Sequence, residues 1–192
     1  HPRTGNPLRV GTHVAHLMAV KVFFRFLSRD GYIVANPASD LELPRHKKPL
    51  PLVLNEPEIL KLIEVPNTER RPGIRDRAIL ELLYGTGLRN SELCSLTLDL
   101  LDLGGHTVRL QKGKGNKPRL LPLGQEAQAW LELYLERVRP FWLRNPQCQA
   151  VFLDRWGAGP ITRCTISMLV RKLGRQAGLG KAATPHALRH SC

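Results

Sequence analysis

Gly85-Thr86-Gly87-Leu88-Arg89-Asn90-Ser91-Glu92-Leu93 sets an arginine and a glutamate three residues apart between two apolar segments. Before it, Ile79, Leu80, Leu82 and Leu83 form a run dense enough for a buried helix, and Gly85 and Gly87 interrupt that run where the chain must turn. After it, Leu93, Leu96 and Leu100 resume at helical spacing. Thr86 is the candidate N-cap of this second helix, which puts Arg89 in its first turn and Glu92 one turn further along the same face. A helix dipole disfavours a cation at that end. The mismatch is removed if the arginine and the helix N-terminus face a phosphate together. The competing reading of these residues is a surface Arg–Glu pair contributing about 0.2 to 0.5 kcal/mol.

Working outward, the chain has 192 residues, 42% of them hydrophobic, enough for one sizeable core and a small second unit. Its 29 Lys and Arg against 16 Asp and Glu leave a formal charge of +13, an excess that points to a polyanionic partner. Cys94, Cys148, Cys164 and Cys192 form no CxxC pair, so neither a zinc site nor a disulfide framework is indicated, and no metal or other cofactor is expected. No apolar run approaches a membrane span and no signal peptide is evident, so the expectation is a cytoplasmic, nucleoid-associated protein with no membrane partner. The chain opens at His1 and closes at Cys192 just after a helix begins at Thr184-Pro185, and is expected to be an excerpt cut at both ends.

Residues 1–43 carry one helical segment, roughly His13 to Ser28. Leu17, Val20, Phe24 and Leu27 form one stripe, and Lys21, Arg25 and Arg29 form a basic stripe as candidate DNA contacts. Residues 44–52 are basic and punctuated by Pro44, Pro49 and Pro51, as an interdomain linker would be. A second domain, 53–192, opens with Asn55-Glu56-Pro57-Glu58, an N-cap with an early proline and an acid three residues on, followed by a helix with Ile59, Leu60 and Ile63 inward. Pro66 to Gly73 reads as a loop and Asp76 to Tyr84 as the helix leading into the opening motif. Past Gly104-Gly105 the period changes: Val108 and Leu110 alternate with Thr107, Arg109 and Gln111, and Arg119 to Leu123 returns as a second strand. The hairpin tip carries Lys112, Lys114 and Lys117, with Gly113 and Gly115 leaving room for Lys114 to enter a groove. Lysines also decorate exposed edges merely to prevent aggregation.

The later half returns to helices: Trp130, Leu131, Tyr134, Leu135 and Val138 make a core stripe closed by Pro140, and Arg163 to Ala177 makes another. Thr184-Pro185-His186 is an N-cap with proline at the first helical position. His186 and Arg189 then share one face at a helix start, a ready anion site. The fold expected is mainly α with a small antiparallel hairpin or sheet: a partial helical domain followed by a mixed α+β catalytic domain. Arg89, Lys114, His186 and Arg189, with Glu92 in support, are what phosphoryl transfer without a metal requires: cations for charge growing on phosphorus oxygens and a proton donor for a leaving alkoxide.

Three motifs in order, Gly85-Thr86-Gly87-Leu88-Arg89-x-Ser91-Glu92-Leu93, Gly113-Lys114-Gly115-Asn116-Lys117 and Pro185-His186-x-Leu188-Arg189-His190, resemble those of the tyrosine recombinases of the phage integrase family, in its Xer-like branch. The resemblance implies site-specific breaking and rejoining of double-stranded DNA through a 3′-phosphotyrosine link, by protomers that assemble as a tetramer on DNA. It makes Arg89 the first catalytic arginine, Glu92 the acid orienting the site, Lys114 the donor to the leaving 5′-oxygen, and His186 and Arg189 the groups on the scissile phosphate. It makes residues 1–43 the second part of a helical core-binding domain that clamps DNA. The family's second histidine or tryptophan and its nucleophilic tyrosine have no counterpart, because Tyr32, Tyr84 and Tyr134 all precede the His186 motif within apolar helical patterns. The chain as given is therefore expected not to cleave. A non-cleaving DNA-binding relative or regulator is the alternative, and DNA relaxation of the type IB topoisomerase kind is another use of the same chemistry.

Overall fold

The computed structural model describes residues 7–8, 10–44, 52–110 and 118–192. The chain separates into two units, His1–Leu50 and Pro51–Cys192. The first is built on one helix, α1 (Val10–Arg29), which buries no residue fully. Val20 is exposed and Leu17, Phe24 and Leu27 are half-buried. Lys21 departs from the expected basic stripe: its Nζ turns to the following turn and donates to the carbonyls of Ser39 (3.1 Å) and Leu41 (2.8 Å). Arg25 is exposed, and Arg29 pairs with Asp30 at 2.8 Å in solvent. Tyr32 lies outside the helix and is 72% exposed, which corrects its assignment to an apolar helical pattern. A second correction concerns hydropathy: α1 is long and apolar enough to cross a membrane by length and composition. Lys21, near its middle, argues against that use, since a lysine at the centre of a spanning helix costs about 2.5 to 3.5 kcal/mol.

The second unit is mostly helical with a small three-stranded antiparallel sheet. Helix α2 (Glu56–Glu64) starts at the expected capping box: Asn55 Oδ1 accepts from Glu58 N–H and Glu58 Oε2 from Asn55 N–H. It buries Ile59, Leu62 and Ile63, while Leu60 points outward. Helix α3 (Arg71–Thr86) begins earlier than its apolar run, because Pro72 occupies its first turn and Gly73 packs so closely on the Asn67 carbonyl that a Cβ would stand 1.8 Å from that oxygen. Its Ala78, Ile79, Leu80, Leu82 and Leu83 have no exposed surface, so α3 is apolar nearly all round and forms the centre of the core. Gly85 stays within the helix. Gly87, at φ +58°, ends it in the left-handed conformation that glycine adopts without strain.

Helix α4 (Asn90–Cys94) is short, and a 3-10 turn at Leu98–Leu100 follows it. Strands β1 (Leu101–Asp102), β2 (Thr107–Leu110) and β3 (Arg119–Pro122) pair in that order, with Val108 opposite Leu121 and Leu110 opposite Arg119. Val108 and Leu110 face the core and Arg109 faces solvent, the alternation read from sequence. Residues 111–117, with Lys112, Lys114 and Lys117, lie outside the described residues. Helix α5 (Gln125–Arg137) packs on α3 and buries Leu131 and Tyr134, whose ring stacks on Phe152 at 5.1 Å. Pro140 does not simply close α5; it sits in the first turn of a short helix α6 (Arg139–Trp142). Helix α7 (Arg163–Gln176) is capped by the Thr162 side chain and buries Ile166, Val170 and Leu173. Helix α8 (Pro185–His190) is capped by Thr184, whose Oγ1 accepts from Ala187 N–H. Ser191, just past α8, accepts a hydrogen bond from Leu54 N–H at 2.8 Å.

Candidate active site

Arg89 is not in the first turn of a helix capped by Thr86, as its sequence context suggested. Thr86 is the last residue of α3, and its buried hydroxyl donates back to Leu82 O. Arg89 is itself the N-cap of α4, held in extended conformation two residues after the Gly87 turn, with Leu88 between them fully buried. Glu92 reaches back across this first turn. One carboxylate oxygen accepts from Arg89 N–H at 2.8 Å and the other from the Arg89 guanidinium at 2.7 Å. The supporting role expected of Glu92 therefore has a geometric form: it fixes both the backbone and the side chain of Arg89.

A second arginine shares that carboxylate. Arg119, at the start of β3, places Nη2 2.9 Å from Glu92 Oε2, while its Nε–H is buried and has no partner among the described residues. Burial favours the neutral form of Glu92 and is the largest single influence on it. The hydrogen bonds from Arg89 and the charges of Arg119 and Arg89 together outweigh burial and leave its pKa lowered. Nothing in the local pattern of Arg119 marked it, because its partner lies 27 residues away on another element.

Helix α8 brings the third motif to the same place. The Arg189 guanidinium donates to the Gly87 carbonyl, two residues before Arg89. His186, in the first turn of α8, lines with Arg89 a cavity of about 820 Å³ whose wall also includes Ser91, Thr162, Arg163, Cys164, Ser167 and Arg171. Helix α7 is held to this cleft by Asn90, whose Nδ2 donates to Arg163 O and Ser167 Oγ, both at 3.1 Å. Arg163, Ser167 and Arg171 recur every four residues along one stripe of α7, which sequence reading treated only as a core helix. That spacing was the available signal.

Among the described residues, the cleft thus has three arginines and a histidine on its wall and no carboxylate; Glu92 stands behind Arg89, occupied by its two cations. Such a set suits a phosphate in a partly desolvated pocket, where oriented guanidinium donors meet charge on non-bridging oxygens. Of the residues predicted for the site, Arg89, Glu92, His186 and Arg189 come together. The hairpin lysines lie outside the described residues, and Lys21, Arg25 and Arg29 belong to the other unit.

Residues 53–192 match the phage integrase family. Tyrosine recombinase XerD of Staphylococcus haemolyticus (strain JCSC1435) is 38% identical over 175 residues, covering 91% of this chain and 59% of that protein. The chain therefore spans less than two thirds of the curated relatives it matches. A crystal structure of XerA recombinase superposes with a TM-score of 0.64 at 27% identity, covering 94% of this chain and 59% of that one. A post-cleavage complex of XerH site-specific recombinase bound to palindromic difH substrate shares the fold, with a TM-score of 0.74 at 22% identity over 98% of this chain and 54% of that one. With residues 53–192, well over half of its length, matched by the family, the chain belongs to the phage integrase family.

Proposed function

We propose that this chain is the main part of a site-specific DNA recombinase, a phosphotransferase that breaks one DNA strand, holds the 3′-phosphate on a tyrosine and passes it to another strand. The observation that carries the reading is the convergence of Arg89, His186 and, through Gly87, Arg189 on one cleft with a cationic wall. In this reading the scissile phosphate sits in the cleft. Arg89 and Arg189 stabilise its pentacovalent transition state, His186 hydrogen-bonds a non-bridging oxygen, and Lys114 protonates the leaving 5′-oxygen. Glu92 keeps Arg89 in place. Arg163 and Arg171 extend the positive wall along α7 toward neighbouring phosphates. The nucleophile is the tyrosine that the family places beyond the His186 motif; Tyr134 is unsuited to the part, being buried with its pKa pushed up to about 12 by that burial.

Double-stranded DNA is the proposed partner, together with further recombinase protomers in a tetrameric synapse. The site of action is the nucleoid in the cytoplasm. Residues 1–43 act as part of a DNA-clamping domain joined by the 44–52 linker. Arg25 is the exposed cation of the α1 stripe best placed to meet a phosphate, because Lys21 is taken up by backbone carbonyls and Arg29 by Asp30.

The test is trapping of a covalent intermediate by the full-length protein on a nicked duplex carrying its recombination site. A denaturation-resistant adduct that is lost in Arg89→Ala supports the reading. Binding to the duplex without any adduct supports the non-cleaving alternative.

A further inference from the structure

We propose that Arg119 is a positioning residue for Arg89, acting through Glu92, so that one carboxylate sets the base of the β2–β3 hairpin against the phosphate-binding arginine. The proposal rests on the DNA strand-exchange reading and deepens it, because Arg119 touches no reacting atom.

Glu92 is largely buried, with 11% of its side chain exposed, and both of its oxygens are committed. Oε1 binds the Arg89 guanidinium at 2.7 Å; Oε2 binds Arg89 N–H at 2.8 Å and Arg119 Nη2 at 2.9 Å. Arg89 already holds both oxygens, one through its backbone N–H and one through its guanidinium, but both donors belong to the same turn at the start of α4. The contact from Arg119 comes from a separate element and closes a three-residue frame.

Arg119 is well placed to transmit position. It pairs with Leu110 in the register of the sheet, the last described pair of β2 and β3. A shift of β3 is thus passed to Glu92, and from Glu92 to the guanidinium and backbone N–H of Arg89. The buried Nε–H of Arg119, which has no partner among the described residues, points the same way. If charge neutralisation of Glu92 were all that was needed, a lysine would supply it without an orphaned donor; the planar guanidinium adds direction. Among the described residues, the charged groups facing Glu92 are Arg89 at the start of α4 and Arg119 on β3.

The test is a double-mutant cycle in the full-length protein, reading the first-turnover rate of covalent adduct formation on saturating nicked duplex. Arg119→Ala is expected to slow this step on the order of tenfold to a hundredfold, the scale of a small misplacement of a group at the reacting centre. In the Glu92→Gln background the same change is expected to add no more than about twofold, because its effect runs through Glu92. Arg119→Lys keeps the charge and the fold and is expected to recover part of the rate. In Arg119→Ala the acid limb of the pH–rate profile is expected to move to higher pH, as Glu92 loses a cation; a purely structural role would leave that limb in place. An equal fold-loss in both Glu92 backgrounds, or an unshifted acid limb, overturns the proposal. If Arg119→Ala fails to fold, the cycle is run with Arg119→Lys and Arg119→Gln and decides by the same criterion. Should Arg89→Ala form adduct as fast as the unmodified protein, the recombinase reading fails, not the coupling through Glu92.

Discussion

Asn90 and Ser167 are joined by a 3.1 Å hydrogen bond that spans 77 residues and fastens α4, with the Arg89 N-cap, to the stripe of α7 that carries Arg163 and Arg171. The same amide donates to Arg163 O, so one side chain spaces two walls of the cleft. Asn90→Ala removes both bonds, and a loss of about 1 to 3 kcal/mol follows at the usual worth of such pairs. Thermal unfolding is expected to fall by roughly 2 to 4 °C per kcal/mol for a chain of this size. Ser167→Ala is expected to cost less, and the two changes together less than their sum, because they share a contact. Additive losses would mean that the pair is not coupled.

In the full-length protein, Arg89→Ala and Arg189→Ala are each expected to slow strand cleavage on the order of a hundredfold to a thousandfold, the scale for loss of one preorganised donor at a developing oxyanion. Duplex affinity is expected to change far less, because each would be one phosphate contact among many in the proposed complex. Arg189→Ala also frees the Gly87 carbonyl and is expected to lower the unfolding temperature, which Arg89→Ala does to a smaller extent since Arg89 is more than a third exposed. Gel-resolved single-turnover kinetics beside thermal melts separate the two effects.

Lys114→Ala is expected to be rescued by a substrate whose bridging 5′-oxygen is replaced by sulfur, because a thiolate leaves without a proton. Absence of rescue in Lys114→Ala, with rescue in His186→Ala, would move the general-acid role to His186.

Stability at acid pH is expected to carry the mark of Glu92. Its folded pKa lies below its ordinary value of 4.5, so its contribution is present above 4.5 and is lost as pH falls through the lowered value. Asp76 and Glu81 run the other way: burial raises both against the pull of Arg75 and Arg77, so protonation favours the folded state at each. Urea unfolding from about pH 6 down to about pH 3 is expected to show a flatter acid limb in Glu92→Gln and a steeper loss in Glu81→Gln. The reverse order would contradict the carboxylate frame.

Binding to duplex DNA is expected to weaken steeply with salt, since the chain's +13 formal charge draws on phosphates and each one neutralised adds about 0.9 to the logarithmic slope. Arg25→Ala, Arg163→Ala and Arg171→Ala are each expected to reduce that slope by about one if they meet phosphates. The 192-residue chain alone is expected to give no covalent adduct. Tyr32 is the exposed tyrosine to mutate as a control; an adduct that vanished with Tyr32→Phe would identify an unforeseen nucleophile.

Local chemistry was readable in the chain and long-range chemistry was not. The Asn55–Glu58 capping box, the Thr184-Pro185 helix start and the Val108/Leu110 alternation depend on residues a few positions apart, and each stands where the pattern put it. Arg89, Glu92, His186 and Arg189 were legible because motifs carry them. Thr86 was misread because two glycines flank it, and only the backbone of Gly87 decides which of them ends α3. Arg119, Arg163 and Arg171 were missed because what gives them meaning is a partner 27 residues away or the opposite wall of a cleft. Lys21 sits at the same spacing as Arg25, and only the turn at Ser39–Leu41 diverts it.

The bond from Leu54 N–H to Ser191 Oγ makes the second unit a loop tied at its neck. Ser191 also donates to Ala187 O, inside the helix that holds His186 and Arg189. The start of the second unit, at the buried Leu54, is thereby coupled to the turn that follows α8. Whatever displaces Leu54 therefore acts on the end of α8, the helix that carries His186 and Arg189.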